Sequence, residues 1–483
     1  MSEDWILEET QTVSLGDARL NTRFREVLAQ LGARPTASIP AACGGHTEMT
    51  AAYRLFDNEN VTFERILAPH TQASRTRMAA QATVLLVQDT TEIDATRPKQ
   101  QVEGAGPLNE GTRQGMLLHV LHAFTPDGTP LGTLVGTPWA RDEKTNDAPV
   151  LSRAQRYALP FENKESYRWL ETLNQAQDEA DRHPDTQFIC ICDSEADIYE
   201  VLHAAQAEPR RIDWIVRGCQ NRALQSNVGE PAMHHLCEYV LTRPVLFSKT
   251  INVRGRDAKI AANTRGRRQA RQSRSACVEV RSARVTLRPP RQRDAHLPAI
   301  AVNVVLVKEI DAPANDVPVE WCLLTSLPVE TAEQVSTIIQ YYCMRWMIEI
   351  FFRVLKSGCH VEQRRFETLD RLQNCLAVYL IIAWRTLYVC RLGRACPDIN
   401  CEAIFDPAEW KPVWKIVRHT NPPTKPPSLG EMTILVAQLG GYIYRKNSPP
   451  GPQTIWIGLQ RAHDFAICWK TFGPEAQGRA QDV

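Results

Sequence analysis

The sequence predicts an α/β protein: a mixed sheet covered by helices, interrupted by a β-rich insert and flanked by helical segments at both ends. Short β-prone runs separated by turns begin near residue 80 and then alternate with helical stretches. A second set of alternating strands lies between about 240 and 320. The first seventy residues and the C-terminal third instead space their apolar residues as helices do.

Size supports this plan. The chain has 483 residues, 43% of them apolar, enough for roughly three units of about 150 residues with a substantial core. Wholesale disorder, collagen and a disulfide miniprotein are excluded. Fourteen irregularly spaced cysteines, about 3% of the chain, suit reduced, buried thiols in a cytoplasm. The opening MSEDWILEE has acids where a secretory signal carries lysines. The longest apolar run, Cys375 to Trp384, spans only ten residues before Arg385, too few to cross a membrane.

Near the start, Asp17 can cap a helix from Ala18 to Leu31, with Leu20, Phe24, Val27, Leu28 and Leu31 on one stripe and Gly32 ending it. Arg19, Arg23 and Arg25 fall off that stripe, either as a solvated face or as phosphate contacts. Strands are expected at Thr83 to Gln88, Leu117 to Phe124, Pro130 to Val135, Gln187 to Cys192 and Asp213 to Val216, with helices at about Lys164 to Arg182 and Ser194 to Ala207. VEVRSARVTLR and AIAVNVVLV read as antiparallel strands of the insert, and a long helix is expected from Thr331 to Leu355. The remainder is helical with breaks at NPPTKPPS and NSPPGPQ. Between them Ser428 and Glu431 form a capping box and Gly440-Gly441 a helix end, while the last ten residues fray.

Charge points to a partner. Between Arg254 and Arg293, twelve arginines and Lys259 stand against Asp257 and Glu279, an excess of eleven positive charges in a chain whose net charge is +1. So one-sided a block suggests a polyanion such as nucleic acid, with an exposed basic loop as the alternative.

Two strand runs lead into an aspartate, TVLLVQ into Asp89 and QFICIC into Asp193. Carboxylates carried to a sheet crevice on separate strands can share a divalent cation, although aspartates at strand ends also serve as caps. On the helix after the insert, Tyr342, Arg345, Glu349, Arg353 and Lys356 fall within about 80° of arc at ~100° per residue, and the rest of the circumference is apolar. Such a stripe faces a polar cleft or is an internally paired edge.

Tyr342-x2-Arg345-x3-Glu349-x6-Lys356 resembles the YREK signature of DDE transposases, in the IS-four, Tn-five-like branch that releases its element through a DNA hairpin. QDTTEID and CDSEADIY are similar to the contexts of that family's two catalytic aspartates, and LGDARLNTR, KESYRW, VEWCLLTSLPVE and LGGYI extend the likeness over nearly the whole chain. The resemblance implies an RNase H-like catalytic domain over 76–370 with its insert at about 240–320. It also implies a helical domain over 1–75 that binds transposon ends and a helical dimerisation domain over 371–483. It further implies that Asp89, Asp193 and Glu349 are catalytic and hold two Mg2+ ions, for which Mn2+ can substitute. Arg345, Lys356, Tyr342 and Arg217 would contact phosphates, and Trp321 would stack on a flipped base. Arg19 and Arg23 are DNA-contact candidates. The partners implied are double-stranded DNA, both transposon ends and target, and a second copy of the chain; no membrane is expected, and the setting would be a bacterial cytoplasm with its nucleoid. The rival readings are an RNase H-like nuclease without strand transfer and an inactive end-binding regulator.

Glu195, Asp197 and Asp94 lie close to the candidate catalytic acids in sequence and could substitute as metal ligands, but are expected to cap helices or pair with arginine. His119 and His122 are expected to face opposite sides of a strand, Cys190-x-Cys192 shares one face without a second pair, and His234-His235-x-Cys237 lacks zinc-finger partners.

Overall fold

In a computed structural model of the chain, the described residues are 4–474 apart from 110–111, 143–151, 153–154, 156–158, 208, 210, 226–234, 254, 256–269, 291–296, 315 and 446–447. Seven of the twelve arginines of the 254–293 block, His234 and all but the first of the last ten residues lie outside them. The chain forms two compact units, Met1–Ala148 with Trp346–Val483, and Pro149–Arg345.

The first unit begins with five helices: α1 (Asp4–Glu9), α2 (Ala18–Ala33), α3 (Ile39–Cys43), α4 (His46–Phe56) and α5 (Phe63–Ala79). Asp17 caps α2 by accepting the Arg19 N–H at 2.7 Å, and Phe24, Val27, Leu28 and Leu31 are its buried stripe. Leu20 is only half-buried, and α2 runs past Gly32. That glycine serves close packing rather than termination, because a Cβ there would come within 3.0 Å of the Trp5 ring.

Strands β1 (Thr83–Asp94), β2 (Gly106–Pro107), β3 (Gln114–Phe124) and β4 (Pro130–Trp139) follow, with β1, β2 and β4 all antiparallel to β3. The expected end of β1 at Gln88 is overturned. Its ladder with β3 continues to Asp94↔Gly115, and Asp89 sits mid-strand opposite Val120. The run ends after Gln88 because burial drops to half over Asp89 to Glu92, not because pairing stops, and the β-branched Thr90, Thr91 and Ile93 sustain the strand.

In the second unit, α6 (Arg168–Arg182) precedes β5 (Gln187–Cys192), α7 (Tyr199–Ala205) and β6 (Ile212–Gly218). Strands β5 and β6 are parallel, as a β-helix-β crossover requires. The helix expected over Ser194 to Ala207 is split into a 3-10 turn at Ser194–Ala196 and α7. Helix α8 (Leu236–Leu241) leads into the insert, where β7 (Phe247–Val253), β8 (Arg274–Leu287), β9 (Ile300–Ile310) and β10 (Glu320–Thr325) are antiparallel in the order β6-β10-β9-β8-β7. Helix α9 (Ala332–Met344) closes the unit, started by a Thr331–Gln334 capping box.

The single helix expected over Thr331 to Leu355 is therefore two. Arg345 is a turn whose N–H bonds to the Tyr342 carbonyl, α10 (Trp346–Arg353) begins after it, and Val354–Gly358 form a π turn. The uniform 100° wheel does not hold across those two irregularities, which fall at Arg345 and Lys356.

The first unit is completed by α11 (Leu369–Ala395), α12 (Pro407–Arg418), α13 (Leu429–Leu439) and α14 (Pro452–Phe472). The ten-residue apolar run belongs to α11, whose 27 residues are long and apolar enough to cross a membrane by length and composition. Arg385 interrupts the apolar run, but that arginine is itself buried and the apolar character resumes beyond it. Its most apolar stretch is 83% buried inside the protein, packed against α2, α5, β4 and α13, so α11 is a core helix. At α13 the Ser428 hydroxyl accepts the Glu431 N–H, but the Glu431 carboxylate pairs with Arg418 at 2.8 Å.

Candidate active site

In the second unit the ends of β5 and β6 and the start of antiparallel β10 lie on one edge of the sheet, and four elements bring side chains there. Asp193 follows β5 half-buried, and its Oδ1 accepts the Glu195 N–H at 2.7 Å, capping the 3-10 turn. Arg217 sits near the end of β6 opposite Leu323. Tyr342, on α9, is buried and hydrogen-bonds with Arg345. Burial raises its phenol pKa, while the charges of Arg345 and Arg217 oppose the rise and that of Asp193 adds to it. The half-buried Trp321 ring packs edge-on to Tyr342, with centroids 5.6 Å apart. Asp193, Arg217, Trp321, Tyr342 and Arg345 are thus one cluster.

Its support was only partly foreseen. Asp197 is buried, accepts the N–H groups of Cys219 and Gln220 at 2.8 and 2.9 Å, and pairs with Arg222, so it fastens the loop leaving β6. Glu195 pairs with Arg168 at 3.0 Å; burial and the neighbouring Asp193 charge push its carboxyl pKa up. Both acids pair with arginine as expected, but nothing in their spacing pointed to Arg222.

In the first unit, α10 carries Glu349 and packs on β1, which carries Asp89. Both carboxylates are half-buried, and Asp89 Oδ1 accepts the Thr90 N–H at 2.8 Å. Lys356, in the π turn, has its Nζ 3.8 Å from Glu362. Burial lowers its pKa, and Glu362 and Glu92 pull the other way. Glu362 accepts the Asp94 N–H, and Arg113 pairs with Glu92 at 2.7 Å and Asp94 at 3.7 Å, a network the sequence did not announce. Asp94 is five residues from Asp89 on one strand, so the two leave opposite faces and Asp94 is a poor substitute ligand.

His119 bonds to Thr90 and Gln88, and His122 to Thr133, so neither is placed for a shared metal. The reading of the cysteines as buried needs correction: all are free, but Cys219, Cys277, Cys343, Cys396 and Cys468 are exposed and Cys237 is half-exposed.

Three family matches cover most of the chain. Residues 2–61 match the transposase DNA-binding domain, 169–384 the transposase DDE domain and 381–470 the transposase Tn5 dimerisation domain. The chain is a Tn5-like DDE transposase. Its core is accordingly RNase H-like, and its activity is metal-dependent DNA cleavage and strand transfer. The DDE match takes in Asp193 and Glu349 and begins after Asp89. The structure of a piggyBac transposase synaptic complex with hairpin DNA is similar over 100% of this chain and 81% of that one, at 10% identity and a TM-score of 0.37. That likeness is too distant to carry an argument.

DDE transposases use divalent metal ions, and the donors present in this transposase suit one. Asp89, Asp193 and Glu349 offer hard carboxylate oxygens at half-buried positions, and a backbone N–H already orients each aspartate. Among the described residues, no three acidic, histidine or cysteine side chains are grouped closely enough to hold an ion. In the DNA-binding module, Arg19 is exposed on α2 and Arg23 pairs with Glu26 at 2.8 Å.

Proposed function

We propose that this transposase cuts its element out of DNA and joins it to a target through a hairpin intermediate, with Asp89, Asp193 and Glu349 holding two Mg2+ ions. Such ions, when bound, activate the attacking oxygen and stabilise the leaving one. The chain's own cations do the rest. Arg217 and Arg345 neutralise phosphates beside the scissile bond, and Lys356 does the same from the π turn. Buried Tyr342 holds the Arg345 guanidinium in place and presents its hydroxyl to the same backbone. Trp321, braced edge-on by Tyr342, stacks on a base turned out of the duplex and so relieves the strain of a tight hairpin.

Residues 1–75 are assigned to binding transposon ends, 76–370 to catalysis and 371–483 to pairing two copies of the chain, so that two ends are cut together on nucleoid DNA of a bacterial cytoplasm. The observation that carries this reading is the gathering of Asp193 with two arginines and two aromatic residues on one sheet edge, in a chain that matches DDE transposases.

The test compares the parent with Asp193→Asn on a transposon-end duplex with Mg2+. Cleavage should fall by about 10^3-fold or more, since a metal site supplies several kcal/mol of transition-state stabilisation, while end binding persists. Cutting that survives the substitution would end the assignment, and cut ends that are never joined would describe a nuclease instead.

A further inference from the structure

A cavity of about 520 Å³ opens in the second unit at the sheet edge opposite to the one that carries Asp193 and Trp321. It exists because neighbouring strands end unevenly. The ladder between β10 and β9 stops at Thr325↔Asn303, whereas β9 begins three residues earlier, and its Ile300–Val302 pair with β8 alone. The end of α7 closes the notch, where Gln206 Nε2 donates to the Ala301 carbonyl at 2.6 Å. Trp321 and Thr325 are four residues apart on β10, about 14 Å at ~3.4 Å per residue, so the cavity is separate from the Asp193 cluster.

Its lining is polar, and among the described residues there Arg284 carries the only formal charge. Arg284, Asn303 and Thr325 stand opposite one another on β8, β9 and β10 and so share a face. Arg284 is exposed, and no carboxylate among the described residues pairs with it. Ala301 supplies a second donor. Its carbonyl turns away from β8 to meet Gln206, and in an antiparallel ladder a residue's N–H and carbonyl point the same way, so its N–H also faces the notch. The Thr286 carbonyl opposite it turns outward in the same fashion, to the Gln225 N–H at 2.9 Å. Asn303 supplies an acceptor, because its Nδ2 is held by the Leu327 carbonyl at 2.8 Å and Oδ1 is left. The Asp213 carboxylate does not line the cavity and is engaged by the Ser326 hydroxyl at 2.9 Å and by Gln187 at 3.1 Å.

We propose that this cavity binds a nucleoside 5′-phosphate unit, with the phosphate on Arg284 and the Ala301 N–H and the base toward α7. A guanidinium beside a backbone N–H is a donor set for a phosphate monoester. The carbonyl end of α7 disfavours an anion and suits the N–H groups of a base, as does Asn303 Oδ1, which fixes the direction in which the ligand lies. Half-buried His203, in the last turn of α7, adds a flat ring on that side. The volume is that of a small-molecule pocket and larger than a bare phosphate needs. The unit comes either as a free nucleotide or as the 5′ end of a DNA strand, since the chemistry recognised is the same. No residue of the proposed catalytic machinery takes part, so the two readings stand or fall separately.

The full chain, free of DNA, is titrated with deoxyadenosine 5′-monophosphate in a calorimeter. One molecule should bind per chain, and inorganic phosphate should compete with it. Arg284→Gln, at an exposed position that leaves the fold intact, should weaken binding about 10- to 150-fold, the range for a hydrogen bond to a charged group. Arg288→Gln, on an exposed arginine outside the cavity, should leave binding unchanged, and an equal loss there would reduce the effect to general charge and overturn the site. Absence of binding by the parent at millimolar nucleotide overturns it as well. Asp193→Asn should bind the nucleotide as the parent does; loss in that variant would move the ligand to the Asp193 cluster and overturn the assignment, whereas loss of cutting alone concerns only the proposed function. Displacement of the nucleotide by a 5′-phosphorylated oligonucleotide, and not by the same strand with a 5′-hydroxyl, identifies a DNA end as the source. Displacement by neither strand identifies the free nucleotide. Equal displacement by both means that any phosphodiester fits, and overturns the 5′-phosphate assignment.

Discussion

Two clusters in this transposase are built from the same kinds of residue and do opposite things. In the first unit Glu9, His70, Arg77 and Trp384 meet in the core; in the second, Asp193, Arg217, Arg345, Tyr342 and Trp321 gather at a sheet edge. The core cluster is matched internally. Glu9 takes hydrogen bonds from both His70 and Arg77, the latter at 2.6 Å, the guanidinium lies 4.2 Å over the Trp384 ring, and His70 Nε2 accepts the Thr133 N–H at 3.0 Å. The edge cluster sets two arginines against one half-buried aspartate. A balanced set with 0% exposure at Glu9 and His70 is a fastener for α1, α5 and α11, whereas an open set with surplus positive charge asks for a phosphate. Residue type does not separate them; burial and charge balance do.

The sharpest way to break this contrast is Glu9→Leu. It leaves His70 and Arg77 without their acid in a dry site, and should cost about 3–5 kcal/mol in chemical denaturation. A loss under about 1 kcal/mol would mean that the cluster fastens nothing.

Acidification probes the same cluster more gently. Burial alone would raise the Glu9 carboxyl pKa, but His70 and Arg77, both hydrogen-bonded to it, outweigh that and hold it below the usual range. Burial first, with help from Arg77, lowers His70 despite Glu9, and the Thr133 N–H donated to Nε2 keeps the ring neutral. Both folded-state pKa values lie below their unfolded ones. Each group therefore stabilises the fold fully above its ordinary value, 6.5 for His70 and 4.5 for Glu9, and that stability is lost as pH falls from there through the folded value. Unfolding free energy measured from pH 8 downward should be flat at first, decline below about 6.5 and steepen below about 4.5. A maximum near pH 5 would mean that His70 is charged in the fold.

The edge cluster should respond in activity instead. Stacking is worth about 1–3 kcal/mol per base, so Trp321→Ala should slow hairpin formation by about 5- to 150-fold, with less effect on the first nick and on unfolding. Equal loss at both steps in a gel time course would remove the stacking role.

Legibility in the sequence divides along the same line. Gln187–Cys192 appears with the bounds its apolar run gives, and the insert strands appear where alternation places them, because local pattern decides both. Tyr342 and Arg345 were legible because the signature keeps them within one turn. Glu9, His70, Arg77 and Trp384 were not: they are 61 or more residues apart except within α5, and only packing joins them. The π turn at Lys356 and the break at Arg345 were missed for a related reason. Helical periodicity assumes a constant pitch, and these departures from it are fixed by tertiary contacts such as Gly358 against the Trp456 ring.

The smallest effect is expected farthest from both clusters, on α2. Arg19 is exposed, and its neighbour on the same helix, Arg23, already spends its charge on Glu26. If this face meets the DNA backbone, each freed cation displaces about one counterion, so Arg19→Ala should flatten the log-log salt dependence of end binding by about 0.9. Arg23→Ala should change it less, because a guanidinium already paired with Glu26 displaces fewer counterions from the DNA. Neither should move the unfolding midpoint, since a surface pair of this kind contributes about 1 kcal/mol at most. Fluorescence anisotropy across a salt series separates the outcomes: equal slopes for parent and both variants would take α2 off the DNA and leave end binding to another face of residues 2–61.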